Sequence, residues 1–170
     1  PRSEGMKSTH GAHDDFAELQ VNFNTGREVT EACLRCHESR ADEVMFTTHW
    51  TWMREEEIPD KGVVPFGKRN AISSFCLGIQ GSEQSCTQCH IGYGFSDADF
   101  DFEDKLNVDC LICHDNTGSY KKAKDGAGCP DESVDLGYVA RNVGYPTKRN
   151  CGTCHFDGGI GNNGKHGDLD

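Results

Sequence analysis

Apolar residues are sparse along this chain, and few of them keep a regular period. The best helical pattern runs from Ala41 to Glu57, where Val44, Phe46 and Trp50 are the apolar anchors, acidic residues come early and no Gly or Pro intervenes before Pro59. That pattern predicts one long helix. Thr25-Gly26 and Thr30 are helix-start signals just ahead of Cys33. Val63-Val64, set between Gly62 and Pro65, predicts a short strand or hairpin, and Asp135–Arg141 a short helix. From Ser96 to Asp109 the chain reads as an acidic loop, with Phe100 and Phe102 interleaved and Phe95 just before it. Tyr120–Pro130 reads as a Lys/Gly loop. Regular structure is therefore expected to be sparse and mostly helical. No run of eighteen apolar residues occurs, so no membrane span is expected.

Composition sharpens the difficulty. Only 35% of the 170 residues are hydrophobic, and 20 are Gly. Such a chain struggles to build an ordinary apolar core, and something else must fill its interior. The ten Cys and eight His supply the clue. C-x-x-C-H occurs four times: Cys33-Leu-Arg-Cys36-His37, Cys86-Thr-Gln-Cys89-His90, Cys110-Leu-Ile-Cys113-His114 and Cys151-Gly-Thr-Cys154-His155. Two thiols three positions apart lie on one helical turn and can reach both vinyl groups of one haem. The next residue, His, can then reach the iron. Paired C-x-x-C motifs also build zinc sites, and Cys pairs also build disulfide frameworks, but neither requires His after every pair. Four covalent haem c groups are the expected cofactors, and their macrocycles would form the core.

The His count agrees with this. Beside the four motif His, four remain: His10, His13, His49 and His166. One spare His per haem implies bis-His ligation. The competing ligands Met6, Met45 and Met53 are expected to pack rather than bind iron. The two Cys outside the motifs, Cys76 and Cys129, are expected to form a disulfide, because haem is attached to such chains after export, where thiols oxidise. For the same reason a leader is expected to have been removed ahead of Pro1, and a periplasmic or extracellular location follows.

The net charge of −11 disfavours nucleic acid and suits a basic redox partner. The acidic run Asp97–Asp104 offers oxygens to calcium, but it lacks the Gly and the spacing of an EF-hand loop, so a solvated face is expected instead. The motifs begin at 33, 86, 110 and 151, too unevenly for a repeat array. The expected fold is mostly α with long irregular loops, little or no β, and the multihaem cytochrome c arrangement of haems at the core. It forms a single domain over 1–170, in which an N-terminal arm, 1–25, supplies distal His.

Several segments extend the likeness beyond C-x-x-C-H. They are Thr25-Gly-Arg-Glu-Val-Thr-Glu-Ala-Cys33, Thr48-His49-Trp-Thr-Trp52, Asn107-Val-Asp-Cys110 with His114-Asp-Asn-Thr-Gly118, and Asn150-Cys151 with Lys165-His166-Gly-Asp-Leu-Asp170. In these the chain resembles the N-terminal, tetrahaem half of the octahaem tetrathionate reductase family, over nearly its whole length. The resemblance implies periplasmic multihaem proteins, mostly bis-His, with one active-site haem that has Lys as a ligand. Here that haem would be the one on His90, with Lys121 or Lys122 as candidates. The family continues into four more haems where this chain stops, so the chain is either a fragment or a stand-alone module.

Two functions follow as expectations. The first is electron transfer by hopping between haems, with redox proteins or extracellular acceptors as partners. It includes assembly of copies into a filament (a nanowire) in which His10 or His13 ligates a neighbour's haem. The second is reduction of sulfur or nitrogen oxyanions, such as tetrathionate, nitrite or hydroxylamine, at one open or Lys-ligated haem. The balance of four motif His and four spare His leaves no haem position for substrate, so the expectation leans toward electron transfer rather than catalysis.

Overall fold

The computed structural model describes residues 13–69 and 83–156. His10, His166 and Cys76 lie outside the described residues, and with Cys76 the expected Cys76–Cys129 bridge. After short turns of 3-10 helix at His13–Asp15 and Ala17–Leu19 come the helices α1 (Gly26–Leu34), α2 (Arg40–Met45) and α3 (Thr48–Thr51). The strands β1 (Arg54–Ile58) and β2 (Gly62–Phe66) follow, then α4 (Glu83–Cys86), α5 (Leu111–His114), α6 (Leu136–Arg141) and α7 (Lys148–His155).

Helix α1 begins where the sequence signals it. Thr25 accepts from the Glu28 backbone N–H at 3.3 Å, and Glu28 accepts in return from the Asn24 backbone N–H at 2.7 Å. Its buried face, Val29, Thr30 and Ala32, packs on the Lys105–Asn107 turn and on α6, and the Thr30 hydroxyl donates to the Val108 carbonyl at 2.6 Å.

The long helix expected over Ala41–Glu57 does not form. The Thr47 hydroxyl donates back to the Val44 carbonyl at 2.7 Å, and Thr47 itself is extended, which closes α2. After one turn α3 closes on Trp52, which is left-handed at φ 53°. Glu55, Glu56 and Glu57, read as the helix tail, instead lie in β1, paired antiparallel with β2 from Arg54↔Phe66 to Ile58↔Gly62. Pro59 and Asp60, the latter at φ 66°, form the connecting turn, closed by the Lys61 N–H on the Ile58 carbonyl at 3.0 Å. Val63-Val64 does lie in a strand, as its pattern predicts, and the short helix expected near 135–141 is α6.

A modest side-chain core gathers Val29, Trp50, Leu111 and Val139. The Phe residues of the acidic run turn inward to join it, with Phe95 and Phe100 both buried. The acidic side chains face solvent and fold their own turns: Asp97 accepts from the Asp99 N–H, and Asp101 from the Glu103 N–H.

Candidate haem-attachment site

Three of the four motifs form a helical turn that brings the His back over the first thiol. The His37 N–H bonds the Cys33 carbonyl at 2.9 Å, the His114 N–H bonds the Cys110 carbonyl at 3.1 Å, and Cys151–His155 lie wholly within α7. Each of these turns therefore sets its His one turn beyond its first thiol. The Thr147–Asn150 capping box fixes the start of α7, and Asn150 Nδ2 donates to the Asp115 carbonyl at 2.7 Å, which ties the fourth motif to the end of the third. Cys36, Cys113, Cys151, His37 and His114 are exposed, lining open faces beside the core.

The imidazoles pair across these faces. The rings of His13 and His37 are stacked with centroids 6.3 Å apart, and those of His49 and His155 are also 6.3 Å apart, edge to face. Two imidazoles on opposite sides of one metal ion, with about 2 Å from metal to nitrogen and about 1 Å more to each ring centre, have centroids roughly 6 Å apart. Both pairs have that centroid spacing, and rings turned end-on at this distance would hold one iron between them, so the residue types present fit the group. At His114, Nδ1 donates to the Gly144 carbonyl at 2.7 Å, a bond that orients the ring and leaves Nε2 for a metal. His13 meets His37 of its own chain.

The second motif differs. Its last residues, Thr87–Cys89, form a 3-10 turn, and the His90 N–H bonds Thr87 rather than Cys86. The His90 ring is fully buried among Trp50, Trp52, Phe95, Phe100 and Phe102. Its Nε2 lies 2.7 Å from the Trp50 carbonyl, which takes up the nitrogen that would face an iron. Burial pushes its pKa down to about 4, outweighing that carbonyl.

Beside His90 sits a buried charge cluster. Lys122 Nζ donates to the His90 carbonyl and lies 3.2 Å from Asp109, with the two side chains 2% and 0% exposed. Asp109 also accepts from the Tyr93 hydroxyl at 2.9 Å and the Tyr120 hydroxyl at 2.8 Å. Burial raises both tyrosines well above their ordinary range, and the Asp109 charge adds to it, so both hydroxyls keep their protons and donate. At the edge of the aromatic cage, Arg69 lies 3.8 Å over the Phe102 ring and Lys68 5.4 Å from the Trp52 ring. Sequence reasoning singled out Lys122 only as one of two candidates, and it missed Asp109, Tyr93 and Tyr120 altogether. The available signal was Asp109 itself, a charge set among Val108, Leu111 and Ile112 directly before a motif.

Thiol contacts give the motifs a spatial order unlike their order in sequence. Cys33 hydrogen-bonds Cys110, which lowers the first thiol's pKa and raises the second's. Cys113 lies near enough to Cys151 to interact with it, and the helices that carry the two motifs pack together. The Cys154 thiol bonds that of Cys89 and also approaches the Cys89 carbonyl. The motifs thus adjoin one another in the order first, third, fourth, second. Among the described residues, no three His, Cys, Asp or Glu side chains are grouped as a bare metal ion would need.

The fold has a relative among solved structures. The chain is similar to an octahaem cytochrome c from Shewanella oneidensis solved by crystallography, at 51% identity over 86% of this chain, with a TM-score of 0.82. The fold is that of a multihaem c-type cytochrome, mostly helical with little β. The match covers 33% of that structure, so this chain spans about a third of its length. No protein-family model and no curated protein matches the chain. No helix among the described residues is long and apolar enough to cross a membrane.

Proposed function

We propose that this chain transfers electrons through covalently attached haem c groups, one at each C-x-x-C-H motif. The observation that carries the reading is the pair of imidazole couples, His13 with His37 and His49 with His155, each 6.3 Å between centroids. Haem, when bound, supplies a one-electron carrier whose potential depends on its axial ligands and its surroundings. The chain attaches it through Cys33, Cys36, Cys86, Cys89, Cys110, Cys113, Cys151 and Cys154. His37 with His13 and His155 with His49 would hold the iron at two motifs, which would leave no place for substrate there. The chain also brings the attachment points into contact in the order first, third, fourth, second. Thioether attachment implies export, and the acidic surface, net −11, suits a cationic redox partner. The experiment is to purify the exported holoprotein, weigh it intact and titrate its spectrum with dithionite. Four covalent haems with reversible reduction support the reading. A protein whose haem is extracted by acid acetone contradicts it.

A second reading has its own observation. At the second motif His90 Nε2 is engaged by Trp50, while Lys122 is buried beside it, and Arg69 and Lys68 sit at the cage edge. An amine ligand from Lys122, with cations nearby, fits a haem where sulfur or nitrogen oxyanions are reduced. Addition of sulfite, nitrite or tetrathionate separates the readings. A spectral shift confined to one haem makes this module a reductase site, and four indifferent haems make it a conductor.

A further inference from the structure

Asp109 is a more demanding residue than a structural carboxylate needs to be. Its side chain is 0% exposed, and four donors converge on it. Oδ1 accepts from the Tyr93 hydroxyl at 2.9 Å and the Ile112 backbone N–H at 3.1 Å. Oδ2 accepts from the Tyr120 hydroxyl at 2.8 Å and faces Lys122 Nζ at 3.2 Å. An ionised carboxylate has about four lone-pair sites, so the group is saturated. Its donors come from separate segments. Tyr93 follows the second motif, Ile112 lies inside the third, and Tyr120 and Lys122 lie in the loop after it. The carboxylate therefore ties both motifs to the Lys122 loop.

Lysine has a long, flexible side chain that loses much rotamer entropy when fixed. An unanchored Lys122 would turn its ammonium toward water, as Lys121 does, whose side chain is 60% exposed. Lys122 instead points inward, held by Asp109 and the His90 carbonyl. We infer that Asp109, itself clamped by Tyr93 and Tyr120, is the positioning residue that delivers Lys122 Nζ to the second motif in place of the His90 ring.

This inference rests on the Lys122 reading above, and the test separates the two. In the holoprotein, low-temperature electron paramagnetic resonance and the near-infrared charge-transfer bands distinguish amine from imidazole ligation. Wild type, Lys122→Ala, Asp109→Asn and Asp109→Glu are compared, with covalent haem content as the control. Wild type is expected to show one amine-type signal, which Lys122→Ala removes. Asp109→Asn, nearly isosteric but uncharged, is expected to lose that signal to a high-spin or bis-imidazole one while the other haems keep theirs. Asp109→Glu is expected to restore it in part. An amine signal that survives Asp109→Asn intact overturns the inference and leaves the Lys122 reading standing. A wild type without any Lys122-dependent signal overturns both. If Asp109→Asn does not accumulate, Tyr120→Phe takes its place. Removing one clamp donor is expected to split the amine signal into two populations, and a single unchanged signal overturns the inference.

Discussion

Three lysines stand close together in the loop after the third motif, and the sequence makes Lys121, Lys122 and Lys124 look alike. Their difference is set by tertiary structure. Lys122 lies on an isolated bridge with Pro130 and points into the core, whereas Lys121 forms an exposed pair with Asp131 at 3.4 Å. Lys122→Ala leaves the buried Asp109 carboxylate and the His90 carbonyl short of a donor and is expected to cost about 1–3 kcal/mol. Lys121→Ala is expected to cost at most about 1 kcal/mol. Denaturant unfolding of the two holoprotein variants measures both. Gly128 is a second such residue. It sits at φ 82°, and an added Cβ would lie 2.2 Å from the Gly92 carbonyl oxygen, just past the second motif. Gly128→Ala is expected to lose about 1–3 kcal/mol in the same assay, since it combines backbone strain with a backbone clash. His90 was legible as a motif residue. Its aromatic enclosure was not, because Trp50, Trp52, Phe95, Phe100 and Phe102 reach it from two distant segments.

At the level of elements, local signals held where the local chain decides the outcome. Thr25 capping Glu28 starts α1, and the Pro59 turn closes a hairpin around Val63-Val64. The expected helix over Ala41–Glu57 failed where side chains compete with the backbone, at Thr47 and at Trp52. Apolar periodicity says nothing of either event. Helices α5 and α7 pack together, and Asn150 is the hinge of that contact. It takes part in the Thr147 capping box through Oδ1 and donates to Asp115 through Nδ2. Asn150→Ala removes both and leaves a buried carbonyl unsatisfied, for a loss of about 2–3 kcal/mol. Because the residue joins the third and fourth motifs, it is expected to shift the spectra of two haems and leave the others unchanged. Reduction followed haem by haem checks this.

For the whole molecule, the sequence carries the C-x-x-C-H motifs openly, because each is five contiguous residues. The adjacency of the motifs was hidden, since the Cys33–Cys110 and Cys89–Cys154 contacts span long stretches of chain. The allocation of distal His was equally hidden. Four spare His could be counted, but the chain order does not say that His13 lies beside His37 and His49 beside His155. His13 approaches His37 within one chain. Removing residues 1–13 is expected to take one ligand from the first motif and spare the fourth.

The most direct test of the account is the electron paramagnetic resonance spectrum of the oxidised holoprotein beside His13→Ala and His49→Ala. The paired imidazoles predict that each substitution turns one low-spin bis-imidazole signal into a high-spin one, a different signal in each case, at unchanged covalent haem content. Spectra that keep every low-spin signal in both variants would contradict the pairing and the electron-transfer reading built on it.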